Sequence, residues 1–581
     1  MTLQYLVLVA AGVSDFGART KEVARQTGLL LHHQDGELAV MTNEQKAPIT
    51  FGDGSAMVLG TLFHRHGAPR AIETLDPGTG EVLGQAPRHL LLTRYWGGFI
   101  ALWRSPDGTT ILRDPSGLMP CFYAGDGTVI AFASDARLLV RSGVARASID
   151  WGGLALNIYA SDLVQVQTAI DGISDLLAGS QAVVFAGACA QTPIWSPWDY
   201  VQDEKARSTS TQSERLVRAV DQCVSGWASC FPCGLLAVSG GLDSSIVAAA
   251  LPDKSDYQCL TISTDDSRGD ERPYAQELCD ALSRELICER YRLADVDILS
   301  PAVSHLPRPS GRAQLQAFEA AAIRAMGGSG GQVLLTGLGG DNVFLFTHSA
   351  RPLADRYLVQ GISRGLLATL RDIANITGAS AWDIARSALG VLWRRGRRYV
   401  WKPDELFLSP DCLASLRRTP LEHPWLQEPS NALPGKAAHI AMIARAQFAL
   451  HGHDRFLSFP TIAPLISQPV VETVLSMPSW EACAGGMDRS VARRAFAGRL
   501  PPTIVRRRSK GGPDGFAHAI LHQNLDVIRE RLLDGALVRA GAVDRARLEQ
   551  ALTPQRISRG TDYVRILLLL DTEAWIESWS R

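Results

Sequence analysis

The stretch LLAVSGGLDSSIVAAAL, residues 235–251, constrains this chain more than any other. An apolar run that fits a buried strand passes into Ser239-Gly240-Gly241 and then into a helix of small residues, which Pro252 stops. A strand that feeds a helix through so short a loop is half of a βα unit, and such units build parallel sheets. The sequence that follows repeats the pattern. YQCLTIS at 257–263 reads as a strand, DERPYAQELCDALS as a helix and LICERYRL as a strand. A helix around 314–326 then leads to the strand QVLLTG at 332–337. Alternation of this kind predicts an α/β fold with a doubly wound parallel sheet from about residue 205. Just before it, SERLVRAVDQCVSGW places Leu216, Val220, Val224 and Trp227 on one helical face. Residues 350–581 read as largely helical.

Residues 1 to about 200 follow a different rhythm. Short runs such as QYLVLVA, AMVLGTLF, GGFIALWRS, TTILRD, CFYAG, TVIAFAS and QAVVFAG are separated by hairpin signals, SPDGTT and GDGTVI among them. This half is expected to be mostly antiparallel sheet with few helices.

The balance of residues excludes several classes. Over 581 residues, 46% are hydrophobic, 20% are charged and the net charge is -1. That favours neither a nucleic-acid nor a membrane partner. The N-terminal MTLQYLVLVAAGVSDFG lacks a basic region and reads as a first strand rather than a signal peptide. The longest apolar runs, such as Ile566–Leu570, are too short to span a bilayer. A soluble, cytoplasmic protein is expected. Its 10 cysteines then read as small reduced residues. Cys230-Phe-Pro-Cys233, with Cys223 upstream, could form a redox pair or half a metal site, but no second pair completes a ligand set. Arg394–Arg398 (RRGRR) reads as a solvated loop, or as an attractor for an acidic peptide.

The loop at 239–245 has its own chemistry. A glycine turn at a helix N-terminus presents N–H groups and the positive end of the dipole to an anion. Gly240 and Gly241 allow close approach, and Ser239, Ser244 and Ser245 add hydroxyls. The loop has neither the Gly-Lys-Ser/Thr ending of a Walker A loop nor the G-x-G-x-x-G pattern. Asp243 would repel a phosphate unless a Mg²⁺ ion bridged them. LLTGLGGDNVF at 334–344 is a second strand running into glycines, Gly337 and Gly339, and an aspartate, Asp341. In a parallel sheet both loops leave the carboxyl ends of their strands, so Asp243 and Asp341 could share one metal-bound pyrophosphate. Far downstream, LPPTIVRRRSKGGPDGF at 500–516 carries Lys510 in a glycine-rich turn, from which a mobile charge could reach a phosphoryl group.

These residues resemble a known family. Ser239-Gly240-Gly241-Leu242-Asp243-Ser244-Ser245 is similar to the pyrophosphate loop of the ATP pyrophosphatases. YWGGFIALWRSPDGTTILRDPSGLMPCFYA, with FASDARLL after it, resembles the glutaminase domain of asparagine synthetase. The resemblance implies an Ntn-hydrolase-like antiparallel αββα sandwich over 1–200. It implies an ATP-pyrophosphatase domain (adenine nucleotide alpha hydrolase-like) with extra helices over 205–581. It further implies ATP and Mg²⁺ as cofactors, Ser239 to Ser245 with Gly337 and Gly339 as nucleotide contacts, Asp243 and Asp341 as metal ligands, and Lys510 as the lysine stabilising the adenylate.

The departures from the family pattern narrow the function. Glutamine-dependent relatives begin Met-Cys-Gly, but here Thr2 and Leu3 follow the methionine, and the Asn-Gly-Glu glutamine-binding stretch has no counterpart. The N-terminal half is therefore expected to be a scaffold. Leu338 stands where asparagine synthetase carries glutamate and β-lactam synthetase tyrosine. GLGGDNVF, with APLISQPVVE at 463–472, is similar to the lasso peptide cyclases. That resemblance implies adenylation of an Asp or Glu side chain in a precursor peptide, then macrolactam closure by its N-terminal amine with release of AMP and pyrophosphate. The partners would be the precursor peptide, a leader-peptide protease and a leader-recognition protein, with no nucleic acid and no membrane. The alternatives are a small-molecule amide or β-lactam synthetase, an ammonia-dependent asparagine synthetase, and a tRNA-modifying pyrophosphatase that would need Cys230 and Cys233. His451 and His453 (HGHDR) read as a polar helix end. Glu271 (GDERPYA) reads as substrate-facing or as a helix N-terminal acid.

Overall fold

The computed structural model describes residues 2–580 apart from 13, 52–55, 75–86, 202–208, 265–269, 395–398, 454–458, 509–510, 513 and 560–561. In the N-terminal half, two six-stranded antiparallel sheets lie face to face. One has the order Ser174–Asp175, Phe122–Gly125, Val129–Ala133, Tyr5–Ala10, Leu38–Thr42, Leu30–Gln34. The other runs Ala188–Pro193, Ser180–Phe185, Gly108–Arg113, Tyr95–Ser105, Ala56–His64, Ile49–Phe51. Alternation along each strand sends one set of side chains between the sheets and the other outward. Val7, Val40 and Phe132 meet Met57, Leu59 and Ile100 in the middle layer. Leu6, Leu8 and Met41 turn outward onto the helices Phe16–Thr27, Ala136–Arg141 and Trp151–Ala160. On the far side Val58, Phe99 and Trp103 pack with Leu90 and Leu91 of the helix Pro87–Arg94. The result is an α-β-β-α sandwich, as the resemblance implies. Helices cover both outer faces, more helix than the sequence pattern alone suggested. The edge strand Leu30–Gln34 escaped the sequence reading because LLHHQ does not alternate apolar with polar, is largely exposed and has a register shift at Leu31/His33.

The C-terminal half is built on a five-stranded, wholly parallel sheet. Its order is Leu286–Arg290, Asp256–Ser263, Cys233–Ala237, Leu334–Leu335, Thr461–Ile462. The chain winds outward from Cys233–Ala237 on one side, then returns to continue on the other. The switch point therefore falls between Cys233–Ala237 and Leu334–Leu335, where the crevice at the carboxyl ends of the strands takes ligands in open α/β sheets. The strand predicted at 332–337 is only two residues long, since its neighbour Thr461–Ile462 is equally short before the chain turns away. The predicted 314–326 helix runs Leu315–Ser329.

The two halves are tied together by buried groups. Leu216, Val220, Val224 and Trp227 of the helix Thr209–Ala228 are all buried, as their spacing predicts. Trp227 meets Phe63 edge-on at 5.1 Å, and Phe63 stacks on Trp96 at 4.3 Å. Such ring pairs add about 0.5–1.5 kcal/mol each beyond the area they bury. Asp175 accepts from Arg113 at 3.0 Å and from Arg308 at 2.6 Å, one arginine from each half. Glu472 binds Arg65 and accepts the Trp195 indole N–H at 3.1 Å. One apolar cluster contains Leu6 and Leu139 together with Leu521, Leu567 and Trp575, so the core crosses the point where the sequence changes character.

Behind the switch point stands the helix Pro434–Ala449. His439 Nε2 lies 2.8 Å from the Val343 carbonyl, and the Asn342 amide donates to the Met442 carbonyl at 2.8 Å. Bonded to a carbonyl, Nε2 must carry the proton. Burial pushes the His439 pKa down to about 3, and the nearby Lys436 acts in the same direction. The native state holds this imidazole neutral, whereas an unfolded histidine titrates near 6.5. Its contribution to stability is therefore whole above about pH 6.5 and is lost as the pH falls towards 3, at about 1.4 kcal/mol per pH unit. Between about pH 7 and pH 5, urea denaturation should show the wild type losing about 2 kcal/mol that His439→Gln does not lose. Equal losses would show that the buried neutral imidazole does not drive the slope.

Candidate active site at the switch point

The strand Cys233–Ala237 enters a loop that ends at the N-cap Gly241 of the helix Leu242–Ala250. No side chain caps this helix, so its first turn keeps N–H groups without a side-chain acceptor. Ser239 Oγ accepts from Gly241 N–H at 3.3 Å, and Ser244 Oγ accepts from Ser239 N–H at 3.3 Å. Ser245 donates to the Gly241 carbonyl at 2.8 Å. The serines thus brace the loop. Gly240 has φ +60, and a Cβ there would lie 2.3 Å from Tyr274 Cβ, so only glycine fits.

The second loop packs directly on the first. A Cβ on Gly337 would come within 2.5 Å of Ser244 N, and one on Gly340 within 2.4 Å of the Asp243 side chain. Gly339, at φ +81, turns the chain into the short helix Gly340–Val343, which carries Asp341. The two aspartates paired in the sequence reading are brought together by this contact. Asp243 is nearly buried and Asp341 is half exposed.

A residue absent from the sequence reading stands between them. Arg489 Nη1 bonds Asp243 at 3.1 and 3.3 Å, and the same nitrogen bonds Asp341. Its Nε donates to Asp488 Oδ1 at 2.7 Å, and Arg493 donates to both oxygens of the same carboxylate, at 3.0 and 3.2 Å. The guanidinium lies over the Phe346 ring at 5.1 Å. Burial works against its charge, but Asp243, Asp341 and Asp488 outweigh that and hold its pKa above the ordinary arginine value. Arg489 adopts a left-handed backbone, φ 49, at the start of the helix Ser490–Phe496. Non-glycine residues reach that conformation at a cost of about 1–2 kcal/mol, and such strain clusters at functional sites.

The carboxylates of Asp243 and Asp341 thus converge on one nitrogen. A pair of aspartates facing one point, beside a helix N-terminus that no side chain caps, suits Mg²⁺, which takes one or two carboxylates and completes its shell with phosphate oxygens and water. Among the described residues no cluster of three or more His, Cys, Asp or Glu side chains could hold a metal ion. The set present fits a nucleotide-bound metal rather than a free-standing one.

Lys510 lies outside the described residues, but both of its flanks are placed. The Arg507 guanidinium donates to Glu271 at 2.9 Å and to the Gly240 carbonyl at 3.1 Å, and it stacks on the Tyr274 ring at 3.9 Å. Gly511 N–H donates to the same Glu271 oxygen at 3.2 Å. Glu271 therefore ties Arg507 and Gly511, on either side of Lys510, to the start of the helix Arg272–Leu282, and Arg507 links that anchor to the first glycine loop. Glu271 occupies the N-cap position of this helix without capping it. Arg507 belonged to a run read only as basic. A cavity of about 760 Å³ is lined by Thr264, Arg290, Tyr291 and Phe516, at the carboxyl ends of the edge strand Leu286–Arg290 and its neighbour Asp256–Ser263; neither glycine loop contributes to it.

Other singled-out residues lie elsewhere. Leu338 is half buried and packs on the apolar core beside its loop. Thr2 lines a separate cavity of about 940 Å³, together with Glu44, Lys46, Arg70, Trp227 and Ile462, to which neither glycine loop contributes. Cys230 and Cys233 are free thiols bonded to different carbonyls, those of Gly226 and Gly330, and burial pushes Cys230 up to about 11. His451 bonds the Gly117 carbonyl at 2.8 Å and His453 lies 3.3 Å from Glu319, so both are structural ties. Arg395–Arg398 of the basic run lie outside the described residues.

Comparison with known proteins bears on what this site belongs to. A search of curated proteins finds no match. Two solved structures share 9% identity with the chain at a TM-score of 0.22. One is described as the allosteric regulatory enzyme of purine biosynthesis, and the match covers 52% of this chain and 82% of that one. The other is the glutamine phosphoribosylpyrophosphate amidotransferase from B. subtilis complexed with ADP and GMP, where the match covers 57% of this chain and 90% of that one. At that score neither carries weight beside the sheet topology. The family model described as asparagine synthase matches residues 213–579, a span that contains both glycine loops, Arg489 and Lys510. On that match the chain belongs to the asparagine synthase family and is an ATP-dependent, amide-forming ligase.

Proposed function

We propose that this ligase closes a macrolactam in a peptide. It would adenylate an Asp or Glu side chain and let the peptide's own N-terminal amine displace AMP, as in the lasso peptide cyclases. The observation that carries the reading is Leu338. Its side chain packs on the core beside the Asp341 loop, so this position offers neither carboxylate nor phenol to an incoming nucleophile. An amine already tethered and folded against the acyl-adenylate needs less help, because proximity alone can supply several kcal/mol, about 7–11 in favourable cases.

The residues would divide the work as follows. Ser239 to Ser245 and the uncapped helix end receive the phosphates, with Gly337 and Gly339 keeping the second loop close enough to share them. Asp243 and Asp341 hold Mg²⁺, which when bound neutralises phosphate charge. Arg489 keeps the two carboxylates facing one point and sits where it can pass to the pyrophosphate. Lys510, anchored on both sides through Glu271, brings a cation to the adenylate. The substrate carboxylate attacks the α-phosphorus and the bond to pyrophosphate breaks. The amine then attacks the acyl carbon, the bond to AMP breaks, and the ammonium proton is lost.

The test is reconstitution with precursor, leader protease, leader-recognition protein, ATP and Mg²⁺, read by mass spectrometry. The expected product is lighter than the processed peptide by one water and appears with AMP. Asparagine formed from aspartate and ammonia, or amide formed without any peptide, would overturn the reading. Serine at both Cys230 and Cys233 should leave the product unchanged, whereas loss of activity would point to the tRNA-modifying class.

A further inference from the structure

The helices Arg351–Gln360, Arg364–Thr377 and Ala381–Trp393 share a small core that includes Leu353, Ile373, Ile384 and Ala388. The opposite face of the last helix is apolar as well. Trp382 is 75% exposed, Leu389 64% and Trp393 81%. Arg386, also exposed, completes the row. Steps of four, three and four residues place all four on one straight line along the helix. The preceding helix repeats the device on a smaller scale with exposed Arg364, Leu367 and Arg371, and Ile362 in the turn before it is 90% exposed. Soluble proteins seldom leave such large side chains aligned in water without a use.

The charge on this layer has one sign. Between residues 351 and 394, Asp355 and Asp372 are buried, and Asp383, the one exposed acid, is engaged with Ser380 at 2.7 Å. Arg364, Arg371, Arg386 and Arg394 are all exposed. The whole-chain charge of -1 averages this patch away, so composition argued against a membrane partner.

We propose that this face docks the enzyme on an anionic phospholipid surface. A straight row of projecting side chains meets a plane at one depth. Tryptophan rings settle at the headgroup level, while arginine stems lie along the apolar row and their guanidinium groups reach lipid phosphates. Each such charge adds attraction to an anionic leaflet. Among the described residues no helix is long and apolar enough to cross a membrane, so the association would be peripheral. The layer also touches the active-site segment. A Cβ on Gly486, three residues before Arg489, would lie 2.8 Å from Asn375 Cβ.

Co-sedimentation of the full chain with vesicles tests this. The protein should pellet with mixed phosphatidylglycerol–phosphatidylcholine vesicles, stay in solution with phosphatidylcholine alone, and be released by salt. Trp382→Ser with Trp393→Ser should weaken binding about tenfold or more, and Arg386→Glu with Arg394→Glu should do the same. Thermal unfolding of both pairs should match the wild type, since none of the four side chains is buried in a core. A wild type that ignores anionic vesicles overturns the proposal, even if it binds an acidic peptide. So does full binding by either double variant.

Discussion

Asp341→Asn and Asp243→Asn should each lower ATP–pyrophosphate exchange by about a hundredfold to a thousandfold, because each removes one of the two carboxylates that face a common point. Their side effects should differ. Asp341 is half exposed, and its bond to Arg489 is screened by solvent, so its loss should barely move the melting temperature. Asp243 is nearly buried, supports Gly340 by contact and holds Arg489 on two oxygens, so its variant should melt earlier. Raising Mg²⁺ should recover part of the Asp341→Asn deficit, since the remaining carboxylate and the phosphates still form a site. Exchange within tenfold of wild type in both variants would remove these aspartates from the metal-binding role.

Arg489→Met is the second large effect. The change leaves Asp243, Asp341 and Asp488 crowded around a buried position that has lost its cation. Breaking a buried pair on one side typically costs about 3–5 kcal/mol, and urea denaturation without nucleotide should show a loss near the lower figure, because Asp341 is half exposed. Mg²⁺ with ATP brings positive charge back between the carboxylates and binds only the native state, so it should restore much of the loss. Arg489→Lys keeps the charge but not the geometry that spans three carboxylates, and it should fall between the two. A deficit that Mg²⁺ with ATP leaves untouched would mean that Arg489 is only a packing element. No deficit at all would mean that the three carboxylates do not depend on it.

The strand–loop–helix at 235–251 was legible because everything that makes it is local. Apolar residues, then glycines, then small helix formers act within a few positions, and Gly240 needs its left-handed turn whatever lies around it. The same holds for Leu216, Val220, Val224 and Trp227, whose spacing alone puts them on the buried face. The pairing of Asp243 with Asp341 was partly readable, since all strands of a parallel sheet deliver their loops to the same edge, but only the fold made Cys233–Ala237 and Leu334–Leu335 neighbours. Arg489 gave no such signal. It lies among other arginines, and only folding sets it between two aspartates from distant segments. Glu271 was ambiguous for the same reason, because its partners Arg507 and Gly511 reach it from the far end of the chain.

The sequence by itself determined the strand, glycine loop and helix at 235–251, because these depend on backbone conformation and short-range spacing. Only the tertiary structure decided how the charges around that place are balanced and how the segment bearing Lys510 is anchored. It also decided which apolar rows remain in water. Those are sums over contacts between residues far apart in the chain, and no local pattern encodes them.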